Sequence, residues 1–200
     1  MVRRSIEPDF VSYIDAKLRN NAAAQAAIKA KDFRQVMVFA AEACVGFRER
    51  TGRNDGEQIE WVQETVGGAS NEPYCVGGVE SVLAYAELKT GIKSPLIATE
   101  LATGLWNATP AEMRVKNIPL PGAIAIWQDR DPKTKKRKYT GHAEIVRSAA
   151  NTKWYGVGFN TSGASYPGGP VVREGNGVYY TTRNYEDTPG RVLLGFIKPL

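Results

Sequence analysis

The sequence predicts an α+β fold, with helices first and an antiparallel sheet after them. Three observations carry this reading. Apolar residues recur at helical spacing through the first half of the chain. After Pro119-Leu120-Pro121-Gly122 the pattern changes to short runs rich in β-branched and aromatic residues. Those runs follow one another over short turns, which favours antiparallel pairing.

Taken in order, residues 9–29 are Ala-rich and predict a helix, with Phe10, Ile14 and Leu18 four apart. Asp32 is placed to cap a second helix running to residue 48, with Val36, Phe39, Ala40, Ala43 and Phe47 on one face and Gly52 beyond its end. Asn54-Asp55-Gly56 reads as a turn before a third helix over 57–66, which buries Ile59, Val62 and Val66 and stops at Gly67-Gly68. A fourth helix begins at residue 74 or 75 and runs to 88, with Val79, Val82, Leu83 and Ala86 as its stripe and Gly91 after it. Residues 92–122 read as a long connection holding a short helix. Five strands are then expected at 123–127, 141–146, 154–159, 177–185 and 191–197.

Composition narrows the chemistry. The chain has 200 residues with a single His and two Cys. One imidazole excludes a His-rich zinc site, an HExxH helix and a two-His facial triad. Two Cys exclude a disulfide framework and a four-thiolate zinc site. No cofactor and no metal is expected. The net charge is +5 and the pI about 9.2, so anionic partners are favoured. The charge is concentrated in residues 129–138, which hold six bases and two acids, or +4 of that total. Aromatic residues are not interleaved with this run, which argues against nucleic acid. Acidic residues interrupt the N-terminal segment and no apolar run approaches ~18 residues, so neither a signal peptide nor a membrane span is expected. The chain reads as a monomer made in soluble form in the cytoplasm.

The two cysteines differ in setting. Cys44 lies beside Ala40 and Ala43 inside a helix and reads as a small buried hydrophobe. Cys75 follows Glu72-Pro73-Tyr74 and precedes Val76-Gly77-Gly78, at the start of a helix. A thiol there feels the positive end of the helix dipole, which favours the thiolate, and free N–H groups at the same end suit an oxyanion. The two glycines are poor helix formers, so close approach by another element is expected. His142, the sole imidazole, opens the strand GHAEIV and suits the role of base for a thiol. A third group to orient its ring is expected. Alternation puts Gly156, Gly158 and Asn160 on one face of the next strand, leaving room for a helix N-terminus or a groove and offering Asn160 to the imidazole. Glu144, two positions after His142 on the same face, is the alternative.

Several of these segments, in register, resemble the NlpC/P60 and CHAP group of papain-like cysteine hydrolases. NDGEQIEWVQETVG (54–67) resembles the helix before the nucleophile, and EPYCVGGVESVL (72–83) the Pro-aromatic-Cys helix start. IPLPGAIAIW (118–127) resembles the Pro-Gly strand, GHAEIV (141–146) the His strand, GFNTSG (158–163) the strand end with the third residue, and LLGFIKP (193–199) the closing strand. The likeness covers residues 38–200 and divides the chain into an N-terminal helical extension, 1–37, and a hydrolase domain, within one compact globule. The Asp-Cys-Ser pattern and second His of the NlpC/P60 branch are missing, which leans the match toward the CHAP branch, where Asn or Glu serves. The Asp-rich calcium loop of some CHAP enzymes is missing too.

The resemblance implies a papain-like fold with the nucleophile at a helix N-terminus packed on the antiparallel sheet. It implies hydrolysis of an amide bond in bacterial peptidoglycan, by an N-acetylmuramoyl-L-alanine amidase or a peptide endopeptidase, acting at the cell wall as a phage endolysin. Cys75 would be the nucleophile, His142 the base, Asn160 the orienting group with Glu144 as the alternative, and Tyr74 a groove-lining or packing residue. Lys133, Lys135, Lys136, Arg137 and Lys138 would engage anionic envelope polymers. The alternatives are a catalytically inactive wall-binding module, and an antibacterial effector or tail-associated hydrolase with the same chemistry.

Overall fold

Six helices precede or flank a six-stranded antiparallel sheet in the computed structural model, which describes residues 5–200, the side chains of 173 and 174 excepted. The first predicted helix is two, α1 (Pro8–Leu18) and α2 (Ala22–Lys29). The break falls at Asn21, whose Oδ1 accepts from the Ala24 N–H at 3.0 Å and so begins a new helix instead of continuing the old one. Asp32 caps α3 (Phe33–Ala43) through the Gln35 N–H at 3.2 Å. That helix ends at Ala43, short of residue 48, because Gly46 adopts φ 108° and the chain leaves to pair with a strand. Gly46 N–H donates to Val178 C=O at 3.2 Å, and Val178 N–H to Phe47 C=O at 3.0 Å. Helices α4 (Glu57–Glu64), α5 (Cys75–Thr90) and α6 (Ala102–Ala108) follow.

The strands are β1 (Arg114–Val115), β2 (Ile124–Arg130), β3 (Arg137–Ala149), β4 (Lys153–Ala164), β5 (Val171–Asn184) and β6 (Arg191–Ile197), in the order β1-β6-β2-β3-β4-β5. Strands β3 and β5 begin earlier than the sequence pattern suggests, so Arg137 and Lys138 of the basic run are strand residues. Side chains alternate across the sheet. Ile124, Ile126, Ala143, Ile145, Val157 and Phe159 face the helices in the main core. Ala125, Trp127, Val146, Trp154 and Phe196 form a second apolar cluster on the other face. Phe10 and Ile14 of α1 and Ala24 of α2 share the main core with α3 and α5, and residue 38 lies within α3. Among the described residues no helix is long and apolar enough to cross a membrane.

Helix α5 is buried along almost its whole length. Its first turn is where the fold is tightest. A Cβ on Gly77 would collide with the Val62 carbonyl of α4, and one on Gly78 would overlap the Phe159 ring of β4. The glycines therefore let α4 and the sheet close on the segment that carries Cys75. Gly78→Ala is expected to destabilise the protein by about 1–3 kcal/mol, the usual cost of overpacking, measured by urea unfolding. Wild-type stability in that variant would mean that the α5–β4 contact is loose.

Candidate active site

Cys75 and His142 come together in a cleft of about 540 Å³, whose walls include Gly68, Glu72 and Cys75 on one side and Tyr139, Thr140 and His142 on the other. Cys75 is the first residue of α5, and no side chain caps that helix. Its first-turn N–H groups therefore have neither intrahelical partners nor a capping oxygen. The loop leading to Cys75 is pinned by Gln63 of α4, whose Nε2 donates to the Asn54 and Glu72 carbonyls at 3.0 and 2.7 Å.

His142 enters from β3 with only 3% of its surface exposed. Its ring lies 5.7 Å from that of Trp127, its register partner on β2. Nε2 is 3.0 Å from Glu144 Oε1, which leaves Nδ1 as the nitrogen for the hydrogen bond to Cys75. Burial pushes the Cys75 thiol up, but the hydrogen bond and charge of His142, the Ala143 N–H and the charge of Arg191 outweigh it and hold the thiol below its ordinary value. Burial likewise opposes a charged His142, yet its bonds to Cys75 and Glu144 prevail and raise the imidazole above its ordinary value. Both shifts favour a thiolate–imidazolium pair.

Glu144 is completely buried. Burial would raise its carboxyl, but Arg183 and the hydrogen bond from His142 hold it well below the usual carboxylate range. Besides the imidazole, it accepts from Thr181 Oγ1 at 2.7 Å and from both Nε and Nη2 of Arg183. The four contacts fix the carboxylate, and the carboxylate fixes the ring.

Of the two residues considered for the third position, the ring therefore meets Glu144 and not Asn160. The reason is local. Asn160 adopts φ 50°, and the β4–β5 register breaks between Gly158 and Thr161. Strict alternation fails there, and the pairing of β3 with β4 runs only as far as Glu144 opposite Gly158. The Asn160 amide instead donates to Asn54 Oδ1 at 2.6 Å and Glu49 Oε1 at 3.3 Å, still within the cleft wall. The space left by Gly158 does not receive a helix or a groove. A Cβ there would come within 2.8 Å of Glu144 Oε1, so the missing side chain makes room for the carboxylate. Helix α5 packs on the opposite face, against Phe159.

Tyr74 forms part of the cleft wall, but its ring is fully buried and its hydroxyl donates to Glu49 Oε1 at 3.1 Å. Cys44 is fully buried and its thiol reaches the Ala40 carbonyl at 3.3 Å. Lys133, Lys135, Lys136, Arg137 and Lys138 are exposed on the β2–β3 hairpin and are not among the residues that line the cleft.

Sequence reasoning missed Arg183 and Thr181. A signal existed: in GVYYTTRNY these two alternate with Tyr180 and Thr182, so they share a face. A buried acid needs a cation, and Arg183, half-buried, is the cation that the sheet brings to Glu144. Among the described residues no group of three or more His, Cys, Asp and Glu side chains is arranged to hold a metal ion. Compared with protein-family models, curated proteins and solved structures, the chain matches none.

Proposed function

We propose that this chain is a papain-like cysteine hydrolase that cleaves an amide bond in the peptide part of bacterial peptidoglycan, with a lytic role of the kind a phage endolysin performs. One observation carries the chemistry: a depressed thiol at a helix start, bonded to a buried imidazole that a buried carboxylate orients from behind, with Cys75 and His142 lining one cleft. The peptidoglycan substrate rests on the resemblance of residues 38–200 to NlpC/P60 and CHAP hydrolases.

The Cys75 thiolate attacks the carbonyl carbon, forming a C–S bond and moving the C=O electron pair onto oxygen. The N–H groups at the start of α5 stabilise that oxyanion. The His142 imidazolium gives its proton to the amide nitrogen as the C–N bond breaks, and the amine leaves. Neutral His142 then takes a proton from water, whose oxygen attacks the thioester. The C–S bond breaks, the new carboxylic acid departs, and the thiolate–imidazolium pair is restored. Glu144 stays ionised throughout and holds the ring.

The test is digestion of purified peptidoglycan by the full chain, with mass spectrometry of the products and kcat/KM measured against pH. The expected products are one new amine and one new carboxylate per cut, which also identify the bond. The rate should rise as the thiol ionises, below its ordinary value of 9.0, and fall as the imidazolium loses its proton, above the ordinary 6.5. Intact peptidoglycan after incubation with folded protein would overturn the proposal. A rate that tracks no ionisation in that range would remove the thiolate–imidazolium pair from it.

A further inference from the structure

The hydrolytic chemistry leaves the basic hairpin between β2 and β3 unused. Its acids are spent internally. Asp131 Oδ1 accepts from the Lys133 and Thr134 N–H groups at 2.9 and 2.6 Å, which locks the turn. Lys135 sits at φ 60° in that turn. Asp129 is bound to Arg191 at 2.9 Å. Lys133, Lys135, Lys136, Arg137 and Lys138 are all exposed, and among the described residues none of the five forms an ion pair. Five cations are thus held within six residues, on the turn and the first two residues of β3.

The hairpin is also continuous with the cleft. After Lys138, strand β3 presents Tyr139, 76% exposed, then Thr140, and both line the cleft. The Thr103 hydroxyl bonds the Tyr139 carbonyl and fixes this stretch against α6. Lys138 and His142 are four residues apart on one strand, about 13 Å at ~3.3 Å per residue. The cleft lining carries the carboxylates of Glu72, Glu100 and Asp129 and one guanidinium, Arg191, which Asp129 pairs. The excess of carboxylates there and of cations on the hairpin segregates charge: a polyanion is favoured on the hairpin, and the cleft is left to the peptide.

We propose that the hairpin is a docking surface for a phosphate-bearing anionic glycopolymer of the cell envelope, holding the enzyme so that neighbouring peptides reach the cleft. The choice of an envelope polymer rests on the proposed hydrolase function. The choice of a repeated anion rests on the site: single phosphates on exposed lysines are screened away, whereas several along one polymer release several counterions together. A nucleic acid would gain from stacking platforms, and Tyr139 is the sole aromatic residue in 129–140.

The experiment titrates the full-length Cys75→Ala protein with poly(glycerol phosphate), and with single-stranded DNA of equal phosphate number, at several salt concentrations. The same titrations are made with Lys135→Gln/Lys136→Gln/Arg137→Gln added. Expected is polymer binding that weakens steeply with salt, a loss of at least tenfold in the triple variant, and a log–log salt slope shallower by about 2, at ~0.7 per phosphate contact. With Cys75 restored, the triple variant should cleave a soluble stem peptide at the unaltered rate and cleave polymer-bearing walls several-fold more slowly. Unchanged polymer affinity in the triple variant would overturn the proposal. DNA bound as tightly as the polymer would overturn it in favour of a nucleic-acid surface. Because binding is read on an inert Cys75→Ala chain, failure of the hydrolase reading would show separately, as uncut peptidoglycan with hairpin-dependent polymer binding intact.

Discussion

Cys75→Ala is expected to release no amine from purified peptidoglycan, and His142→Ala to lose at least about a thousandfold in turnover. The two losses have one origin. Without its sulfur the site has no activated nucleophile: Glu144 is wholly buried behind the imidazole, and the other thiol, Cys44, is sealed in the helical core. Without the imidazole, burial is left to act on Cys75 with only the Ala143 N–H and the charge of Arg191 against it, so the thiolate loses its main support. Neither change should unfold the protein. Cys75 is a small residue at a helix start, and Ala favours the helix. Circular dichroism and the unfolding midpoint check the fold, and product analysis checks the chemistry. Cys44→Ala is the control and should cleave at the wild-type rate. Peptidoglycan cleaved at an undiminished rate by Cys75→Ala would remove Cys75 as nucleophile.

Glu144→Gln is expected to lower stability by about 3 kcal/mol at pH 7 and turnover by about a hundredfold. The amide matches the carboxylate in shape and still accepts from Thr181, but Arg183 loses its counter-charge in a site that is closed on the Glu144 side. The pH dependence separates this account from simple misfit. Glu144 has a carboxyl depressed in the folded protein relative to its ordinary 4.5. Its contribution is therefore fully present above 4.5 and declines as the pH falls below that value toward the depressed folded one. The gap between wild type and Glu144→Gln should narrow as the pH is lowered through that window, read by urea unfolding at each pH. Adding Arg183→Met to Glu144→Gln should cost much less than the sum of the two single changes, since each alone leaves the other's partner stranded. Strict additivity would mean that the ion pair contributes nothing to the fold.

The parts of the site that were legible in the sequence are those set by short-range rules. Pro73 and the glycines after Cys75 mark a helix start under close contact, and the close contacts are there, from α4 and from Phe159. His142 and Glu144 share a face because a strand alternates, and the sheet keeps that alternation on β3. Asn160 was misplaced by the same rule, because one left-handed residue at a register break turns the strand's side chains out of phase. Arg183 lies 39 residues after Glu144, and only the β3-β4-β5 order brings the two together. The long reading of the second helix failed for a similar reason: Phe47 looks like its next apolar position, but Gly46 and Phe47 pair with Val178, a partner that local periodicity does not reveal.

The contrast between the two thiols reaches beyond catalysis. Cys44 is fully buried, and burial pushes its thiol well above its ordinary value, so in the native state it is inert. Cys75 owes its lowered value to His142, 67 residues away in sequence, and so owes it to the assembled sheet. Unfolding reverses both. Cys44 gains water and ordinary reactivity, while Cys75 loses the imidazole that activates it. The chain thus carries two internal gauges of opposite sense, and the relative rates at which an added thiol reagent modifies Cys75 and Cys44 follow the loss of the native structure.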